Sequence, residues 1–149
     1  ILLDEPSSGL DAVVRRDILN AIVRTVADDE RTVLFSSHLL DEVEQLSDYV
    51  TMIQEGRVVL QGTLDEIKEQ HHLLNIRLAA PLSSPPVLEG TLSLEGDGRT
   101  WTAICENGVD RIREGVSKIG GEIVELRNAS LQEIFIARVG RKYLPVQEG

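Results

Sequence analysis

The chain has 149 residues, 42% of them hydrophobic, a formal net charge of −10 and a single cysteine. That length holds one domain or two small ones, and no stretch approaches the run of about 18 apolar residues that a membrane span needs. One thiol excludes an internal disulfide and fits a reducing cytoplasm, and the acidity argues against a nucleic-acid-binding surface.

Ile1-Leu2-Leu3-Asp4-Glu5-Pro6 reads as a strand buried on both faces, of the kind parallel sheets use, ending in two adjacent carboxylates. Successive strand side chains point to opposite faces, so Asp4 and Glu5 serve one site only if the strand stops between them. Pro6 supports that stop, and it biases Glu5 toward an extended backbone. Asp4 is expected to serve a divalent cation through its water shell, and Glu5 an attacking water.

Ser7-Ser8-Gly9-Leu10-Asp11 is a turn-forming segment, with Asp11 placed to N-cap a helix from Ala12 to about Ala27. Val14, Ile18, Leu19, Ile22 and Val26 form its apolar face. A polar break at 28–31 leads to a second strand over 32–36. Strand, helix and strand in this order predict a crossover to a neighbouring parallel strand, which brings Ser36-Ser37-His38 beside Asp4-Glu5. Ser37 reads as a strand-end cap in preference to a ligand contact.

Together these three segments resemble the Walker B motif, the D-loop and the switch-histidine loop of an ABC transporter ATP-binding subunit. Residues 46–63 are similar to the strand pair that closes such a nucleotide-binding domain. The resemblance implies an α/β fold: a partial P-loop NTPase core with parallel strands over 1–72, followed by a small α+β accessory domain over 73–149. It makes Asp4 the magnesium-associated carboxylate, Glu5 the general base or water-orienting residue, and His38 the switch histidine on the γ-phosphate. Ser8, Gly9, Leu10 and Asp11 become the D-loop, which reaches toward the partner's site in a head-to-tail dimer. The implied cofactors are ATP and Mg2+.

No segment reads G-x-x-x-x-G-K-[ST], and no Leu-Ser-Gly-Gly-Gln signature is present. The chain is therefore expected to be the carboxyl-terminal part of a longer protein, and to be inactive alone because the phosphate cradle lies elsewhere.

Thr63-Leu-Asp-Glu66 is a capping box opening a helix to about Gln70, and His71-His72 read as its solvated end rather than as metal ligands. A strand at 73–78 and a turn-rich connection at 80–86 follow. Two strands at 88–94 and 100–106 are expected around Gly96-Asp97-Gly98, then a helix at 108–119 ended by Gly120-Gly121, a strand at 122–127 and a capping box at 130–133 opening the last helix. Cys105 reads as a buried inert thiol and Trp101 as a packing residue. This half resembles the accessory domain of exporter-type subunits paired with ABC-2 permeases, and a regulatory or dimer-stabilising role is expected of it.

The resulting expectation is an ATP-hydrolysing subunit that drives substrate movement, with a lean to export, through a separate integral membrane permease. A second ATP-binding subunit is its other partner, no nucleic acid is involved, and it sits on the cytoplasmic face of the cell membrane. The alternatives are a soluble ABC-type ATPase of translation or DNA repair, or a non-enzymatic fragment.

Overall fold

The computed structural model describes residues 1–29 and 31–140. They divide into two compact units, Ile1–Asp48 and Tyr49–Gly149. Of the sequence expectations, Glu30 in the polar break and residues 141–149 of the accessory domain lie outside the described residues.

The first unit runs β1 (Leu2–Asp4), α1 (Ala12–Asp29), β2 (Leu34–Ser36) and α2 (Leu40–Leu46). The expected crossover is present: β1 and β2 are parallel, with Leu2 opposite Leu34, Leu3 opposite Phe35 and Asp4 opposite Ser36. The expected burial is not. Leu2 is 78% and Leu34 67% exposed, and of the apolar face of α1 only Ile22 is buried. A two-stranded sheet with two helices in its unit offers too little surface to cover its own apolar side chains.

The second unit opens with β3 (Tyr49–Gln54) and β4 (Arg57–Thr63), an antiparallel hairpin. Its turn residues Glu55 and Gly56 have φ of 50° and 74°, the paired positive values that match the twist of the flanking strands. Thr63 caps α3 (Leu64–Gln70) in a complete capping box with Glu66. Then follow β5 (His71–Leu82), β6 (Thr91–Glu106), α4 (Val109–Lys118), β7 (Gly121–Asn128) and α5 (Leu131–Val139). β5 lies between β6 and β7, antiparallel to both.

Strand alternation sorts the core of this sheet. One face carries Leu74, Ile76, Leu78, Trp101, Ala103 and Cys105, which pack with Ile112 and Val116 of α4 and with Leu88. Leu73 and its cross-strand neighbour Ile104 lie on the other face, and α5 packs on β6 with Leu131 and Ile134 fully buried. Trp101 is a packing residue, 2% exposed, and burial pushes the Cys105 thiol up from its ordinary value.

Two expectations change. The strands expected at 88–94 and 100–106 belong to one element, entered at Thr91. Within it Gly96 (φ 141°) and Gly98 (φ 52°) bend the backbone sharply, so closely that a Cβ on Gly96 would lie 2.2 Å from the Thr100 carbonyl oxygen. His71 is not a solvated helix end but fully buried, because it is also the first residue of the central strand. The contacts divide after Asp48. α3 is tied to the sheet that follows it, through the Ile67 carbonyl bonded to His71 and the Gln70 carbonyl bonded to the Asn107 N–H.

His71 makes this unit sensitive to pH. Arg138, which only donates, lies 2.9 Å from His71 Nε2, so Nε2 accepts and Nδ1 donates to the Ile67 carbonyl at 2.6 Å. Burial, more than the nearby Arg138 charge, holds the imidazole below its usual 6.5. Glu133, gripped by Arg127 at 2.9 and 2.7 Å and by the Ser130 N–H, is lowered from 4.5 to about 2. Both folded values are depressed, so the unfolded state binds more protons as pH falls and stability is lost in that direction. The urea midpoint followed by the single Trp101 is expected to decline in two limbs, one beginning near 6.5 and a second below 4.5. His71→Gln removes the upper limb and Glu133→Gln the lower one; a pH-independent midpoint in the unsubstituted chain would contradict both assignments.

Candidate functional site

The carboxyl ends of β1 and β2 lie side by side because the two strands are parallel and in register. Asp4 ends β1, and Ser36, opposite it, donates from Oγ to Asp4 Oδ1 at 2.5 Å. The same hydroxyl accepts the Glu5 N–H at 3.0 Å, and the Ser36 carbonyl accepts it at 3.1 Å. One serine thus joins the ends of both strands.

Glu5 leaves the strand with φ of 46°, in the left-handed region. This corrects the extended backbone expected from Pro6. The hydrogen bonds of the Glu5 N–H to Ser36 and of its side chain to His38 outweigh the local preference, and a non-glycine residue held there marks a site worth its strain. The turn is what puts Asp4 and Glu5 on one rim. Glu5 Oε2 lies 2.7 Å from His38 Nδ1, with both side chains open to solvent.

His38 follows β2 through a short turn in which Ser37 Oγ accepts the Leu39 N–H at 3.1 Å, the capping role favoured for it. Asp11 caps α1, its Oδ1 accepting from Val13 and Val14 at 2.9 and 3.1 Å. Between Glu5 and Asp11 the chain turns through Gly9, at φ 73° with open space where a Cβ would be. The bonds Ser8 N–H to Glu5 O and Leu10 N–H to Ser7 O shape this loop. The structure therefore joins Glu5 to His38 directly and Asp4 to them through Ser36. Among the described residues, Ser8, Gly9 and Leu10 add no side-chain hydrogen bond to that group, and the Asp11 carboxylate is engaged in its cap.

Three participants had no role assigned to them in the sequence. Ser36 was legible in principle, since two parallel strands ending together place it opposite Asp4. Ser7 and Glu42 were not: Ser7 Oγ donates to Glu42 Oε2 at 2.5 Å across 35 residues of sequence.

For a cation, Asp4 and Ser36 supply hard oxygen donors, and among the described residues no group of three or more His, Cys, Asp or Glu side chains converges. That donor set fits an ion such as Mg2+, which keeps several waters and takes phosphate oxygens with one or two carboxylates. No helix among the described residues is long and apolar enough to cross a membrane, which says nothing of strand-built crossings.

No family model matches the chain. Among characterised proteins it is similar to the daunorubicin/doxorubicin resistance ATP-binding protein DrrA of Streptomyces peucetius, 31% identical over 94% of this chain and 46% of that protein. It is 32% identical to the uncharacterized ABC transporter ATP-binding protein YhaQ of Bacillus subtilis, over 96% of this chain and 49% of that one. The ABC transporter ATP-binding protein YtrB of the same organism is 25% identical over 95% of this chain and 49% of its own length. The chain spans about half the length of the curated relatives it matches.

Proposed function

Because the chain belongs to the ABC transporter ATP-binding proteins, we propose that it forms part of a subunit coupling MgATP hydrolysis to substrate movement, in the export direction, through a separate membrane permease. The observation that carries this reading is the Glu5–His38 pair at the carboxyl ends of parallel strands, beside Asp4. A water-side carboxylate, a cation-side carboxylate and a ring donor on one rim match the needs of phosphoryl transfer, where catalysis is positioning plus charge stabilisation.

In this reading Asp4, oriented by Ser36, would hold Mg2+ through water, and the ion would supply neutralisation of charge on the phosphates. Glu5 orients the attacking water and takes its proton. With Nδ1 donating to Glu5, His38 donates from Nε2 to a γ-phosphate oxygen as the imidazolium; once the pair opens, the neutral ring does so too. Ser8 to Asp11 serve as the D-loop of a head-to-tail pair of ATP-binding subunits. No segment of these 149 residues reads as a phosphate loop. Residues 1–72 form the nucleotide-facing part and residues 73–149 an accessory domain that regulates the pair or stabilises it. The subunit then sits on the cytoplasmic face of the membrane that holds the permease.

The test is reconstitution of the complete ATPase with its permease in vesicles. ATP turnover stimulated by the permease, with ATP-dependent movement of substrate away from the ATPase side, is the expected result. Turnover indifferent to the permease, and stimulated instead by ribosomes or DNA, would replace this reading with a soluble ATPase.

A further inference from the structure

Among the described residues, Ser7 and Glu42 are the buried polar side chains of the first unit, 0% and 3% exposed. In a unit whose described apolar side chains, Ile22 excepted, are exposed or only partly buried, enclosing a carboxylate calls for a reason, since burial of such a group costs free energy unless it is well partnered. The partners here come from both ends of one loop. Ser7, two residues after Glu5, donates to Glu42 Oε2 at 2.5 Å. Arg15, in the first turn of α1, brings Nε to 3.3 Å from Glu42 Oε1. Both of those atoms are enclosed without a hydrogen bond, so the guanidinium and carboxylate are held facing each other by charge.

Glu42 sits on α2, the helix that follows His38, and its own N–H is bonded to the Leu39 carbonyl. One carboxylate therefore fastens the entry and the exit of loop 6–11 to the helix that carries the histidine. We propose that Glu42 is a positioning residue: through Ser7 and Arg15 it sets the register between loop 6–11 and α2, seating Glu5 against His38 and presenting Ser8 to Asp11 outward. This rests on the ATPase reading above and adds to it the element that makes loop and histidine move as one piece. Neither Ser7 nor Glu42 touches the reacting atoms; their effect passes through Glu5 and His38.

The complete ATPase is compared as wild type, S7A, S7T, E42Q and S7A/E42Q, with E5Q as the control, each with its thermal midpoint recorded. S7A deletes one oxygen and keeps the experiment informative if E42Q folds poorly. A displaced loop costs about 10- to 100-fold in kcat with KM for ATP little changed. S7T, which keeps the hydroxyl, restores turnover, and the double variant loses no more than the worse single one because both act on one contact. If S7A and E42Q lower the midpoint but keep kcat within about twofold of wild type, or if S7A and S7T behave alike, the network is a stability feature only and the proposal is wrong. A wild type that does not hydrolyse ATP, or an E5Q equal to it, fails the ATPase reading itself and removes this proposal along with it.

Discussion

Glu5→Gln is expected to lower ATP turnover of the complete protein by about 10²- to 10⁴-fold, the range a positioned general base supplies, while ATP binding persists. Glutamine keeps the shape of the side chain, and its amide oxygen still accepts from His38 Nδ1, the atom now 2.7 Å from Glu5 Oε2. What it loses is the capacity to take a proton from water. Binding without turnover has a further consequence in a head-to-tail pair: with ATP held between two subunits and no route to hydrolysis, the dimer accumulates. Size-exclusion chromatography with ATP should therefore show a dimer peak for E5Q and not for wild type after prolonged incubation. Near-normal turnover would refute the role given to Glu5, and loss of ATP binding along with turnover would reassign it to holding the nucleotide.

His38→Ala is the second large effect, about 10²- to 10³-fold in kcat, the scale of losing one donor to developing charge. Its specific signature lies in its coupling to Glu5. The two side chains share one hydrogen bond, so removing both is expected to cost less than the product of the single losses, whereas independent roles would multiply. A single-turnover cycle of H38A, E5A and H38A/E5A, in which each single variant deletes the shared bond, separates these outcomes. Multiplicative losses would mean that the pair seen here separates before chemistry and that each residue then acts alone.

Much of the site was legible because its residues are local. Asp4 and Glu5 are adjacent, Asp11 announces its helix, and a strand–helix–strand order with short strands leaves few ways to arrange their ends. The partnership of Glu5 with His38 followed from that topology, although 33 residues separate them. The conformation of Glu5 did not. A rule about residues before proline weighs only neighbours in the chain, and the deciding forces came from Ser36 and His38. The capping boxes at Thr63 and Ser130 were readable for the same reason that Asp11 was: donor and acceptor lie within three residues, and both boxes formed.

Burial behaved differently. Leu2 belongs to a run that reads as core yet stands exposed, while His71, a polar residue at a helix end, is fully enclosed. Hydropathy reports what a residue would gain from cover and is silent on whether cover arrives. For His71 it arrived from three sides at once, as the Ile67 carbonyl, Arg138 and Glu106 converged on the imidazole.

The sequence by itself determined the motifs, their order and which titratable side chains stand at the two strand ends, since these depend on residue type and on spacing within a chain that alternates and caps by fixed rules. Only the tertiary structure decided that Ser36 bridges the two strand ends, that Glu5 turns left-handed to meet His38, and that Glu42 gathers Ser7 and Arg15. Those contacts join groups about 30 residues or more apart in all but one link of the network, and a backbone that closes such distances does so through packing and charge that no local pattern encodes.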